Sequence, residues 1–76
     1  MKHYVQFFRS TGNEMLGSDG IASIDGRYNV ARCVEIAKNQ AKRIMNDLGG
    51  VITEYEIRAY KNDMFKHYVV IHRGVV

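Results

Sequence analysis

The chain reads as an α+β protein, with one long helix packed on one face of a four-stranded antiparallel sheet in the order β-β-α-β-β. Three observations predict this architecture. A single stretch, 29–48, carries helical periodicity. The segments on either side alternate with the two-residue period of strands. Glycine- and asparagine-rich breaks separate them, as turns require. Seventy-six residues suit one domain, residues 1–76, with a core near the lower size limit for independent stability.

Lys2 to Arg9 is expected to be the first strand, with His3, Val5 and Phe7 on one face and Tyr4, Gln6 and Phe8 on the other. Aromatic residues occupy both faces, so periodicity does not say which one is inward. Ser10 to Gly20 is polar and rich in glycine, which predicts a long mobile loop of the kind that often carries partner contacts. A short strand over Ile21–Asp25 and a turn at Asp25-Gly26 follow.

The helix is predicted over Asn29–Leu48. Val30, Val34, Ala37, Ala41, Ile44 and Leu48 recur at steps of three and four and form one stripe, which Cys33 and Met45 widen. Asn29 suits the N-cap, and Gly49-Gly50 suits the stop because glycine tolerates left-handed backbone.

Residues 51–60 form the clearest strand. Val51, Thr53, Tyr55, Ile57 and Ala59 share the face expected to meet the core, and Ile52, Glu54, Glu56, Arg58 and Tyr60 share the face expected to meet solvent. Lys61-Asn62-Asp63 reads as a hairpin turn leading to a last strand, Met64–Arg73. A three-residue turn pairs Tyr60 with Met64, Tyr55 with Val69 and Thr53 with Ile71, and puts Phe65, Val69 and Ile71 inward with His67 between them. A two-residue turn would instead bring Tyr68 and Val70 inward.

Composition narrows the function classes. The net charge of +3 permits a polyanionic partner without demanding one, and it argues against a DNA mimic. Lys2, Arg9 and Arg27 balance Glu14, Asp19 and Asp25, so the excess lies in the helix and the C-terminal hairpin. No apolar run has the length of a membrane span, and the N-terminal segment lacks the pattern of a signal peptide. With a single cysteine there is no disulfide within the chain, and a cytoplasmic location is expected.

The chemistry-bearing residues form no familiar constellation. His3, His67 and His72 fit no metal-ligand spacing, so no metal or other cofactor is expected. Cys33 lies beside the apolar stripe, where a structural role is the usual one. Glu54 and Glu56 share a strand face, about 7 Å apart by strand geometry, without an evident pocket. An enzyme is not expected.

Two surfaces are candidates for binding. On the outer side of the helix, Arg32, Ile36, Asn39 and Arg43 fall opposite the apolar stripe, with Lys38 and Lys42 beside them. Ile36 between two arginines resembles a contact anchor. On the outer face of the sheet, Tyr4, Phe8, Arg58, Tyr60 and Lys66, with Tyr68, would interleave aromatic and basic groups, as suits single-stranded nucleic acid. Glu54 and Glu56 share that face and oppose phosphate.

Gln40-Ala41-Lys42-Arg43-Ile44, followed by the C-terminal hairpin, resembles a segment of small phage-encoded single-helix α+β proteins that include a type I-F anti-CRISPR inhibitor. The likeness covers roughly the C-terminal half, and the N-terminal half departs from it with a longer glycine-rich loop. It implies a cytoplasmic, non-enzymatic blocker of a host protein or CRISPR nucleoprotein complex, with Arg32, Lys38, Lys42 and Arg43 as the positions to test. Two other roles stand beside it, a direct nucleic-acid binder and a self-associating module, so the chain is either a monomer or a homodimer.

Overall fold

The computed structural model describes residues 2–10, 12–15, 20–61 and 67–76, without the side chains of Lys2 and Ser10. Among the described residues the class is α+β, one helix against an antiparallel sheet, but the sheet has five strands rather than four. In chain order the elements are β1 Lys2–Ser10, β2 Asn13–Glu14, β3 Ile21–Ile24, α1 Val30–Leu48, β4 Glu54–Tyr60 and β5 Tyr68–Val75. The sheet runs β2-β1-β4-β5, with β3 also pairing β1. No helix among the described residues is long and apolar enough to cross a membrane.

The extra strand comes from the segment expected to be a loop. After Gly12, at a positive φ of 81°, the chain folds back and pairs Asn13 with Ser10 and Glu14 with Phe8. Gln6 organises the return. Its side-chain amide donates to the carbonyls of Met15 (2.8 Å), Phe7 (3.0 Å) and Gly20 (3.1 Å). The Phe7 amide also donates to the Gly20 carbonyl at 2.9 Å, so both ends of the excursion are pinned to β1. Gly20 lies against the Met15 carbonyl so closely that a Cβ would not fit. Residues 11 and 16–19 lie outside the described residues.

Helix α1 begins and ends where its caps require. The Asn29 side chain accepts from the Arg32 amide at 2.8 Å. Gly49, at φ 74°, donates its amide to the Met45 carbonyl at 3.0 Å. The contact stripe is narrower than the sequence pattern. Cys33, Ala37 and Ala41 are buried, while Val30 and Leu48, at the two ends of the helix, are exposed. Small residues at the centre let the helix lie close to the sheet, so flanking side chains reach the core as well. Ile36 is one of them: it is half-buried against the core together with Val34, Ile44 and Met45. The expected placement of Ile36 on the solvent side of the helix, opposite the apolar stripe, is therefore corrected.

The C-terminal register also differs from expectation. Tyr60 pairs with Tyr68, Arg58 with Val70, Ile57 with His72 and Tyr55 with Gly74, with one extra residue on β5 between Val70 and His72. The partners Val69 for Tyr55 and Ile71 for Thr53 are not formed. Tyr55 instead lies over Gly74, where a Cβ would come within 2.5 Å of its hydroxyl. Val69 and Ile71 are exposed rather than in the core. Met64, Phe65, Lys66 and the Asn62-Asp63 part of the expected turn lie outside the described residues.

The apolar core between helix and sheet contains Val5, Phe7, Met15, Ile24, Cys33, Ala37, Ala41, Ile52, Tyr55 and Ile57. In β4, Tyr55 to Tyr60 is buried without interruption, on both faces.

Candidate interaction surfaces

The sheet face turned away from the helix carries the charges of β4, and it is buried. Arg58 is 4% exposed and sits at the centre of a polar and aromatic cluster. Its Nη2 donates to Glu14 Oε1 (2.6 Å) and Glu56 Oε1 (2.7 Å), its Nε to Glu56 (3.1 Å), and its Nη1 to the Tyr60 hydroxyl (3.3 Å). The guanidinium lies over the Tyr68 ring at 4.2 Å and near the Phe8 ring at 5.9 Å. Arg73 donates to the other oxygen of Glu56 through Nε (2.9 Å) and also through Nη2. Tyr60 meets Tyr4 edge-on at 4.9 Å and Tyr68 at 5.3 Å.

Burial raises the Glu56 pKa, but the hydrogen bonds and charges of Arg58 and Arg73 outweigh it and hold the carboxyl below its ordinary range. Burial acts against the charge on Arg58 too, and its bonds to Tyr60, Glu14 and Glu56 more than restore it. The two-acid face of β4 is thus an ion-pair lock. Both oxygens of Glu56 are taken up by arginine donors.

These positions correct the expectation of an open nucleic-acid platform. Tyr4, Phe8, Arg58 and Tyr60 are all brought together, but each is less than a tenth exposed. Stacking of a base needs an accessible ring face, and these faces are used within the chain. Of the other two, Tyr68 is exposed on β5 with its ring against Arg58, and Lys66 lies outside the described residues. Glu14, Gln6 and Arg73 belong to the same face and had no distinguishing mark in the sequence. Only the register places Arg73 beside Glu56 and Glu14 beside Phe8.

The outer side of α1 is open. Arg32, Lys38, Asn39, Lys42 and Arg43 are exposed. Arg32 is occupied locally, by an ion pair to Glu35 at 2.9 Å and a 5.8 Å approach to the Tyr28 ring. Lys38, Lys42 and Arg43 form no ion pair among the described residues.

The remaining candidates are dispersed. His3 Nδ1 is 3.8 Å from Cys33 Sγ, a close pairing of a thiol and an imidazole. The Cys33 thiol is 1% exposed, and burial raises its pKa, which disfavours the thiolate. His72 packs near Tyr55 at 6.0 Å, and His67 is exposed. Among the described residues no three His, Cys, Asp or Glu side chains are grouped as metal ligands.

Strand β5 is the surface that sequence reasoning missed. It forms one edge of the sheet, and Tyr68, Val69, Val70, Ile71 and Val75 on it are all exposed. The available signal was the unbroken apolar run at 68–71, which does not alternate as a half-buried strand does. Comparison with protein-family models, with characterised proteins and with solved structures returned no match.

Proposed function

We propose that the chain is a non-enzymatic binding protein that inhibits a host nucleoprotein complex or nuclease by occupying its surface, as the anti-CRISPR inhibitors it resembles do. The observation that carries this reading is the side of α1 bearing Lys38, Lys42 and Arg43. These are exposed cations that form no ion pair among the described residues, whereas Arg27, Arg58 and Arg73 are each held by a carboxylate. Cations spread over more than one helical turn suit an acidic protein surface or the phosphate-binding path of a nucleoprotein. The buried Cys33 thiol and the locked Glu56 carboxylate support the non-enzymatic part of the reading.

Arg43→Glu tests it. The position is exposed, so the helix and the fold should be kept, as circular dichroism would confirm. Reversing the charge should weaken inhibition of the target complex by about tenfold or more. Inhibition at the unaltered level by a folded Arg43→Glu chain would remove the helix face from the proposal. Bare oligonucleotide bound by the native chain, with steep salt dependence, would replace the inhibitor reading with direct nucleic-acid binding.

A further inference from the structure

The two edges of the sheet are finished differently. One is made by β3 and β2, of four and two residues, too short to template a long partner strand. The other is β5, eight residues long and without proline or lysine; its edge is modified only by Arg73, which is bound to Glu56, and by the one extra residue. The Val76 amide donates to the Thr53 carbonyl (3.0 Å) and the Lys61 amide to the His67 carbonyl (3.2 Å). Antiparallel pairing alternates main-chain groups turned toward the neighbour with groups turned away. Those two bonds and the register therefore leave the N–H and C=O groups of Tyr68, Val70, Arg73 and Val75 facing the open edge.

We propose that this edge pairs with β5 of a second copy, antiparallel about a twofold axis, to make one continuous sheet. The irregularity in β5 selects the occupant. Because of the extra residue, Val70 and Arg73 both face outward although they are three positions apart. A regular strand alternates strictly and cannot match that spacing along its whole length. A second copy carries the same extra residue. With the axis between Ile71 and His72, Tyr68 meets Val75 of the other chain and Val70 meets Arg73, and the two strands stay in step on both sides of the axis. The pairing also brings no unbalanced charge to the axis, because each Arg73 is already bound to Glu56 of its own chain. The apolar side chains at 68–71 and 75, exposed in the single chain, would lie along the new seam.

Light scattering on the native chain at about 100 µM should give the mass of a dimer, since one strand pair makes a small interface. Val70→Lys sets an ammonium against the Arg73 guanidinium of the second copy, twice per dimer, and should return the mass to that of a monomer. Arg43→Glu should leave the dimer intact, which separates this surface from the helix face. An equimolar mixture of Tyr68→Cys and Val75→Cys chains should form a mixed disulfide on oxidation, well above the yield from either chain alone; Cys33 is buried and does not compete. A monomeric native chain overturns the proposal, as does a dimer that folded Val70→Lys leaves unchanged. Should that variant not fold, the mixed disulfide decides, and its absence overturns the register.

Discussion

Strands β4 and β5 are neighbours with opposite fates. β4, EYEIRAY, carries three charged residues in seven, yet Tyr55 to Tyr60 is buried throughout. β5, YVVIHRGV, begins with four apolar residues, yet all four are exposed. Intrinsic hydropathy would reverse that assignment. Position in the sheet decides it: β4 lies between β1 and β5, whereas among the described residues β5 has a neighbour on one side only. A central strand can hold charges when they pair across its own face, as Glu56 does with Arg58 and Arg73. An edge strand paired on one side leaves its side chains short of neighbours, however apolar they are.

Breaking the lock in β4 should therefore have the largest effect on stability. Arg58→Ala removes the group shared by Glu14, Glu56 and Tyr60 and leaves a void between the Phe8 and Tyr68 rings. The expected loss is about 3–5 kcal/mol, a large part of the stability of so small a domain. Chemical denaturation at neutral pH measures it, and a loss below about 1 kcal/mol would mean the network adds little to the fold.

The acid limb of stability probes the same network through Glu56. Its native pKa is lowered, so the stabilisation is fully present above the range in which an unfolded glutamate titrates. It is lost as the pH falls through the lower native value. Glu56→Gln should cost about 2–3 kcal/mol at pH 7 and should flatten the decline between pH 7 and pH 3. Asp25, held at about 2 by its hydrogen bonds from Arg27, contributes in the same direction to both proteins and cancels in the comparison. Equal acid slopes in urea titrations of the two proteins would count against a charged Glu56 in the lock.

This contrast also explains how much of the molecule was legible. The helix from its Asn29 cap to Gly49 was readable because capping and periodicity are local, and local chemistry settles them. The inward face of β4 was readable from alternation at Tyr55, Ile57 and Ala59, but ahead of the strand the expected faces are reversed: Val51 is exposed and Ile52 is in the core, because alternation begins only where pairing does, at Glu54. The strand's other face was not, because three charges read as solvent-facing unless their partners are known, and Glu14 and Arg73 are distant in sequence. The same blindness hid β2, whose short pairing depends on the Gln6 amide reaching Met15 and Gly20. The hairpin register turned on Gly74, which fits beneath Tyr55 and which no turn rule weighs. Among the candidate site residues, the helix cations are exposed where periodicity puts them, while Ile36 and the aromatic set are not, because their burial depends on how closely neighbouring groups approach.

The smallest effect separates position from residue type most directly. Val5 in β1 is fully buried and Val69 in β5 is 58% exposed, so Val→Thr makes the same chemical change in two settings. Threonine keeps the branched shape that strands favour, so backbone preference is nearly constant between the sites. What differs is the hydroxyl. At Val5 it enters an apolar cluster and should cost about 1–3 kcal/mol. At Val69 it meets water, and the change should stay within about 0.5 kcal/mol. Thermal denaturation at low protein concentration, where the single chain dominates, compares the two. A Val69→Thr loss as large as that of Val5→Thr would show β5 covered in solution even then, and the contrast between the strands would have to be redrawn as one between two buried surfaces.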